Sequence, residues 1–182
     1  MTDAVVRPYR DDDEEGWLRC RVLSFMHSAF FDDVRREKEH YEQPSVELVA
    51  ERDGEIVGLI DVELDDEGGG MIWHLAVHPD HRRQGVATAL LREAERGLAR
   101  VRAWTRDDAD AQHWYESHGF RQVDGYLHVY VELEDGLREL WPTTPDGLRP
   151  VTVFAHYVGD EGDAIRARFA RVHDDVLYEK TI

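Results

Sequence analysis

Apolar and polar positions along the chain alternate with two periods, and the switches between them set out the elements. Val5-Val6-Arg7-Pro8-Tyr9 reads as a short first strand. From Glu14 to Ser28 a stripe of Trp17, Leu18, Arg21/Val22, Phe25 and Met26 recurs at helical spacing with one buried face. Phe30, Phe31, Val34, Lys38 and Tyr41 predict a second, shorter helix ending before Pro44. Val46 to Ala50 and Glu55 to Leu64 read as strands joined through an Asp53-Gly54 hairpin turn. Gly68-Gly69-Gly70 predicts another turn, and Met71 to Val77 a central strand stopped by His78-Pro79-Asp80. Val86, Leu90, Leu91, Ala94 and Leu98 predict an amphipathic helix from about Gly85 to Arg100. A short strand follows at Val101 to Thr105. Asp107 or Asp108 then caps a helix to His118, with Gly119 at its left-handed end. Leu127, Val129, Val131 and Leu133 alternate as a strand. Residues 141–147 read as a loop, Val151 to Tyr157 as a strand, Ala164 to Val172 as a helix and Val176 to Ile182 as a last strand. Up to Leu133 the order is β-α-α-β-β-β-α-β-α-β: a mixed α/β domain, hairpins first and crossover helices later.

A chain of 182 residues, 42% of them hydrophobic, suits one domain spanning residues 1–182. Met1 to Arg10 lacks the apolar stretch of a signal peptide, and no run approaches the roughly 18 apolar residues of a membrane span. Cys20 is the one cysteine, which excludes intrachain disulfides and cysteine zinc sites. The expectation is a cytoplasmic protein away from the membrane. Its formal charge of −17 argues against nucleic acid as a partner, because phosphates need a basic face. Only Lys38 and Lys180 are lysines, while aspartates cluster, as in Asp11-Asp12-Asp13. This bias resembles proteins of extreme halophiles, whose self-repulsion a salty cytoplasm screens. A plain solubilising surface is the competing reading.

The most informative stretch runs from Leu75-Ala76-Val77-His78-Pro79 to Arg82-Arg83-Gln84-Gly85-Val86-Ala87-Thr88. A strand ends, a turn follows and a helix opens at a glycine. First-turn N–H groups and the helix dipole bind anions. Gly85 and Ala87 leave the backbone open to a phosphate, and Arg82 and Arg83 place positive charge in an acidic chain. No Gly-x-Gly-x-x-Gly or P-loop pattern occurs. The string resembles the acetyl-CoA signature of the GNAT family of N-acetyltransferases, Arg/Gln-x-x-Gly-x-Gly/Ala. His113-Trp114-Tyr115-Glu116-Ser117-His118-Gly119-Phe120 is similar to the family's second signature, an aromatic-Tyr pair followed by Gly-Phe. The likeness covers Val46 to Leu133 well and residues 134–182 only loosely. It implies the GNAT fold: a mixed, mostly antiparallel sheet flanked by helices, splayed between its fourth and fifth strands.

The resemblance further implies that acetyl-CoA is the cosubstrate and that a primary amine attacks its thioester directly in a ternary complex. By this likeness Arg82, Arg83, Gln84, Gly85, Val86, Ala87 and Thr88 cradle the pyrophosphate. Leu75, Ala76 and Val77 offer backbone groups to the pantetheine arm. Asp108 stands where many relatives have an asparagine that touches it, a departure from the pattern. Tyr115 takes the position of the general acid that protonates the leaving thiolate. Some relatives place a glutamate or histidine early on the fourth strand; Met71-Ile72-Trp73-His74 holds no carboxylate, so His74 is the nearest base, with an ordinary pKa that suits proton relay. Asp61 and Glu63 are further bases acting through water. A packed core tyrosine and a core histidine are the bland alternatives at positions 115 and 74.

Trp17, Phe25, Phe30 and Phe31 fall where relatives cover the acceptor, and Tyr126, His128 and Tyr130 share one face of a strand that lines the same groove. The acidic balance suits a cationic amine. His74, His78, His81, His113 and His118 form no metal-site spacing, and no metal is expected. Two alternatives stand beside the enzyme: a degenerate acyl-CoA-binding module that senses cofactor without turnover, and a structural domain that forms a homodimer through its C-terminal segment.

Overall fold

A computed structural model describes residues 3–140, 145 and 147–182. The loop expected over 141–147 therefore lies, apart from Pro145 and Gly147, outside the described residues. The elements are β1 (Val5–Pro8), α1 (Glu14–Phe25), β2 (Ser45–Arg52), β3 (Glu55–Leu64), β4 (Gly69–Val77), α2 (Val86–Ala94), β5 (Arg100–Thr105), α3 (Ala109–Ser117), β6 (Arg121–Glu132), α4 (Leu137–Leu140), β7 (Thr152–Tyr157), α5 (Gly162–Arg168) and β8 (Arg171–Thr181).

The eight strands form one sheet in the order β1-β2-β3-β4-β5-β8-β6-β7. All pairs are antiparallel except β4 with β5. That parallel pairing runs only from Gly69↔Arg100 to Ile72↔Ala103. Beyond it β4 continues to Val77 and β5 to Thr105 without pairing to each other. The two strands therefore part in the middle of the sheet, as the resemblance implies. The β3–β4 ladder passes from Val62↔Ile72 to Asp61↔His74, so Trp73 is an extra, bulged residue where the parting begins.

Helix α1 covers one face, burying Trp17 and Cys20 against Val49, Leu59 and Ala76. Helix α2 lies on the other, with Val86, Leu90, Leu91 and Ala94 among Ile60, Val62, Ile72 and Val101. Its close seat depends on Gly58: a Cβ there would lie 2.6 Å from Val86 Cγ1 and 3.0 Å from Leu90 Cδ1. A separate core of Leu127, Val129, Val131, Leu137 and Phe169 fills the C-terminal end.

Four expectations are corrected. No helix forms over residues 30–41; turns and extended chain take its place, because the polar residues there have partners in other elements. Arg21 donates to the Asp33 carbonyl and carboxylate, and the Lys38 N–H donates to Glu14 Oε1. Gly69 and Gly70 belong to β4 rather than to the turn, which sits at residues 66–67. Helix α2 stops at Ala94; Leu98, which fits its stripe, packs on the same core from the following turn, and Arg100 is already paired to Gly69. Helix α5 ends at Arg168, since Arg171 and Val172 pair with Tyr130 and Val129 in β8.

Candidate active site

Beyond Ile72, β4 runs on to Val77 without pairing to β5, and the turn that follows it leads into the N-terminus of α2. Gly85 is the residue before that helix, with φ +81°, and no protein atom lies within 4 Å of where a Cβ would sit. The first turn of α2 has no side-chain cap and no acidic residue, in a chain with 39 acidic residues. Its orphan N–H groups and positive end are thus left facing open space. Arg83 is 91% exposed at its side chain and takes φ +60°, with Asp110 3.9 Å away. Arg82, also exposed, donates to the Ser24 carbonyl at the end of α1 (2.7 Å). Gln84 bridges the Asp80 carbonyl and Arg52. Thr88 Oγ1 lies 2.8 Å from His118 Nε2, tying α2 to α3. Val86 is a core residue, and Ala87 stands half-buried beside it. These features fit a pyrophosphate: a reachable backbone, uncapped donors and local cations.

On β4, Ala76 is buried while Leu75 and Val77 are half-buried. Ser24 Oγ donates to the Val77 carbonyl at 2.8 Å. Across the gap, Asp108 is the N-cap of α3 and accepts from the Ala111 N–H (3.1 Å), so one carboxylate oxygen already has that task. Tyr115, on α3, is 7% exposed and lies parallel to Tyr178 at 5.6 Å, with Phe120 and Trp114 edge-on. Burial pushes its phenol pKa upward, which keeps the proton on the oxygen at neutral pH.

His74 is 5% exposed on the α1 side of β4. Arg21 Nε donates to its Nδ1 (3.4 Å), which puts the ring proton on Nε2, 3.2 Å from Glu39 Oε2. Burial, with the Arg21 charge second, pushes its pKa down to about 4. Asp61, fully buried and opposite His74 in the ladder, is pushed up to about 6 by burial against the pull of Lys38. Lys38 Nζ lies 3.2 Å from Asp61 Oδ2 and also pairs with Glu47. Sequence reasoning placed Arg21, Lys38 and Tyr41 on helical stripes and did not assign them, or Glu39, to this site. The rarity of lysine was the signal that could have singled out Lys38. Glu63 instead accepts from Trp73 Nε1 at the exposed edge (2.9 Å).

The aromatic residues divide. Trp17 is core, and Phe25 packs on Phe30 at 5.5 Å, while Phe31 is exposed. Tyr126, His128 and Tyr130 do share a face of β6, joined by Phe154 and His156 of β7. The loop after α1 reaches this face: Tyr130 and Arg171 both donate to Asp32. His78 and His81 stay in the turn before α2, 5.7 Å apart.

A sequence model of the acetyltransferase (GNAT) domain matches residues 43–122, the span from the β2–β3 hairpin to the start of β6. An acetyltransferase of Pectobacterium atrosepticum is 35% identical over 129 residues, covering 65% of this chain and 89% of the relative. Among solved structures, the ribosomal-protein-S18-alanine N-acetyltransferase of Escherichia coli superposes with a TM-score of 0.61 at 16% identity, over 98% of this chain and 94% of that one. The PaiA N-acetyltransferase of Thermoplasma acidophilum, solved with coenzyme A, gives 0.60 at 12% identity over the whole of both chains. The split parallel pair, the uncapped helix behind Gly85 and these likenesses agree: the chain belongs to the GNAT family of N-acetyltransferases.

Proposed function

We propose that the protein transfers the acetyl group of acetyl-CoA to a primary amine. The observation that carries this reading is the parting of β4 from β5 beside an uncapped, acid-free helix start at Gly85. The coenzyme A bound to the Thermoplasma neighbour supports the choice of cosubstrate. In this reading Val86, Ala87 and Thr88 give backbone N–H groups to the pyrophosphate, and Arg83 adds charge. Gly85 keeps the approach open, Arg82 and Gln84 fix the turn, and Leu75, Ala76, Val77 and Asp108 border the pantetheine.

The bound thioester supplies an activated acetyl group; the residues supply orientation and proton transfer. A β4 backbone N–H facing the slot polarises the thioester carbonyl. As the amine nitrogen bonds to the carbonyl carbon and the carbon–sulfur bond breaks, one proton leaves nitrogen and one must reach sulfur. Glu39, which accepts from the His74 Nε2–H at 3.2 Å and is 36% exposed at its side chain, takes the first and relays it to water, while the Arg21 N–H occupies His74 Nδ1 and fixes the ring. Burial lowers the proton affinity of His74 and keeps its ring neutral, so that it serves Glu39 as a hydrogen-bond donor. Tyr115 gives the second proton to the thiolate and is re-protonated from solvent. Thiol release from acetyl-CoA across a panel of primary amines tests this reading. Amine-dependent release supports it; tight acetyl-CoA binding with no release for any amine would leave a sensing module instead.

A further inference from the structure

Lys38 is one of two lysines in the chain and is 4% exposed, although it lies in a segment without helix or strand. Three rings from three places surround its Nζ: Tyr9 after β1 at 4.9 Å, Tyr41 at 5.1 Å and Trp17 of α1 at 5.4 Å from their centroids. Two carboxylates complete the enclosure: Glu47 of β2, in direct ion pair, and Asp61 of β3 at 3.2 Å. Aromatic faces joined to carboxylates are the chemistry that holds an ammonium. Two wall atoms remain idle: Asp61 Oδ1 and Trp17 Nε1, on residues fully buried, have no hydrogen-bond partner among the described residues. A cage made only for Lys38 would be expected to satisfy both. It also opens outward, onto a surface cavity of about 690 Å³ bordered by Tyr9, Lys38, Glu47, Asp11, Glu14 and Glu39. Apart from Lys38 and His40, the charged groups of that cavity are acidic. Inward it adjoins the proton relay: Trp17 lies edge-on to His74 at 5.1 Å, and Asp61 opposes His74 in the ladder.

We propose that this cage is the acceptor's ammonium site, that the acceptor is an unbranched primary alkylamine, and that Lys38 occupies the site as an internal surrogate until the acceptor displaces it. The acceptor role rests on the acetyltransferase reading; ammonium binding by the cage does not. A site filled by its own lysine binds an external amine more weakly, by the fraction of time it is empty. Displacement moves the segment that carries Lys38, whose remaining ties include Arg21 to Asp33 and the Lys38 N–H to Glu14.

Lys38→Ala keeps Cβ and leaves room for n-propylammonium. Its melting temperature should rise saturably by several degrees with n-propylammonium and not with 1-propanol. Its calorimetric affinity for that ion should exceed the wild type's by at least about tenfold. Lys38→Met, whose neutral chain fills the cage, should not respond. In wild-type protein, saturating n-butylammonium should speed amide hydrogen exchange over residues 33–41. A Lys38→Ala variant no more responsive to the amine than to the alcohol, with unchanged exchange in the wild type, would overturn the proposal. Should Lys38→Ala fail to fold under any condition, the wild-type exchange decides alone: faster exchange supports displacement, unchanged exchange refutes it. Acetyl-CoA titrated into the same samples separates the two readings. Cofactor binding without any amine response removes the cage and leaves acetyl transfer standing; an amine response without cofactor binding keeps the cage and removes its acceptor role.

Discussion

Asp61 and His74 face each other across the β3–β4 ladder, and burial shifts their proton affinities in opposite directions, Asp61 up to about 6 and His74 down to about 4. Their effects on stability oppose each other over one pH window. Unfolded His74 takes a proton below its ordinary 6.5, while the native residue does so only near 4, so its stability contribution is lost as pH falls from 6.5 toward 4. Native Asp61 is protonated below about 6 but the unfolded residue only below 3.8, so its contribution is lost as pH rises from 3.8 to 6. Each amounts to roughly 3 kcal/mol. Urea unfolding of the wild type should therefore show little slope from these two groups between pH 4 and 6. His74→Gln should become less stable as pH rises through that window, and Asp61→Asn more stable. Parallel pH profiles for all three proteins would mean that neither residue titrates as its surroundings dictate.

Gly85→Val should remove acetyl-CoA binding and leave a folded protein. A β-branched residue at φ +81° costs about 1–3 kcal/mol, but its Cβ meets no protein atom. The melting temperature should drop by several degrees without loss of the cooperative transition. The added methyl groups fill the space where a phosphate would meet the first-turn N–H groups. Losing two charge-assisted hydrogen bonds weakens binding by roughly 10²-fold or more. Calorimetry that returns wild-type affinity would place the pyrophosphate elsewhere.

Tyr115→Phe isolates the phenolic oxygen, because the ring packing against Tyr178, Phe120 and Trp114 is kept. Turnover should fall by about 10²-fold with acetyl-CoA affinity nearly unchanged. Burial raises the phenol's pKa, so the wild-type rate should show no loss assignable to Tyr115 ionisation anywhere below pH 10. A variant with normal kcat across the pH range would reduce Tyr115 to a core residue.

How far the fold could be read in the sequence depended on where the information lay. The strand–turn–helix from Leu75 to Leu91 is local: a Pro stop, a glycine at a left-handed position and one apolar stripe specify it without help from the rest of the chain. The Asp108 cap is local for the same reason. Residues 30–41 are the opposite case. Their apolar spacing fits a helix, yet Asp33, Lys38 and Tyr41 find partners on α1, β2 and β3, contacts that no periodicity can announce. The same holds for His74. Its place on β4 was legible, but its neutral state depends on Arg21 and Glu39, 53 and 35 residues away. The insertion of β8 between β5 and β6 is likewise a matter of long-range pairing.

Folding stability should rise with chloride concentration into the molar range. A formal charge of −17 on 182 residues makes the native surface repel itself. At about 1 M salt the Debye length shrinks to roughly 3 Å, so neighbouring carboxylates hardly interact. Screening also weakens exposed pairs such as Arg100 with Glu67 and Arg96 with Glu93. Pairs of that kind contribute only about 0–1 kcal/mol each, and relief of the excess negative charge outweighs their loss. The buried Lys38–Asp61 pair is screened much less than these surface pairs. Because sulfate also strengthens apolar burial, melting should be followed in potassium chloride and in sulfate at matched ionic strength. A gain common to both salts is electrostatic, and any surplus in sulfate belongs to the core. A melting temperature flat from low to molar chloride would refute adaptation to salt. The acidic rim around Tyr9, Glu14 and Glu39 would then be better explained as attraction for a cationic acceptor.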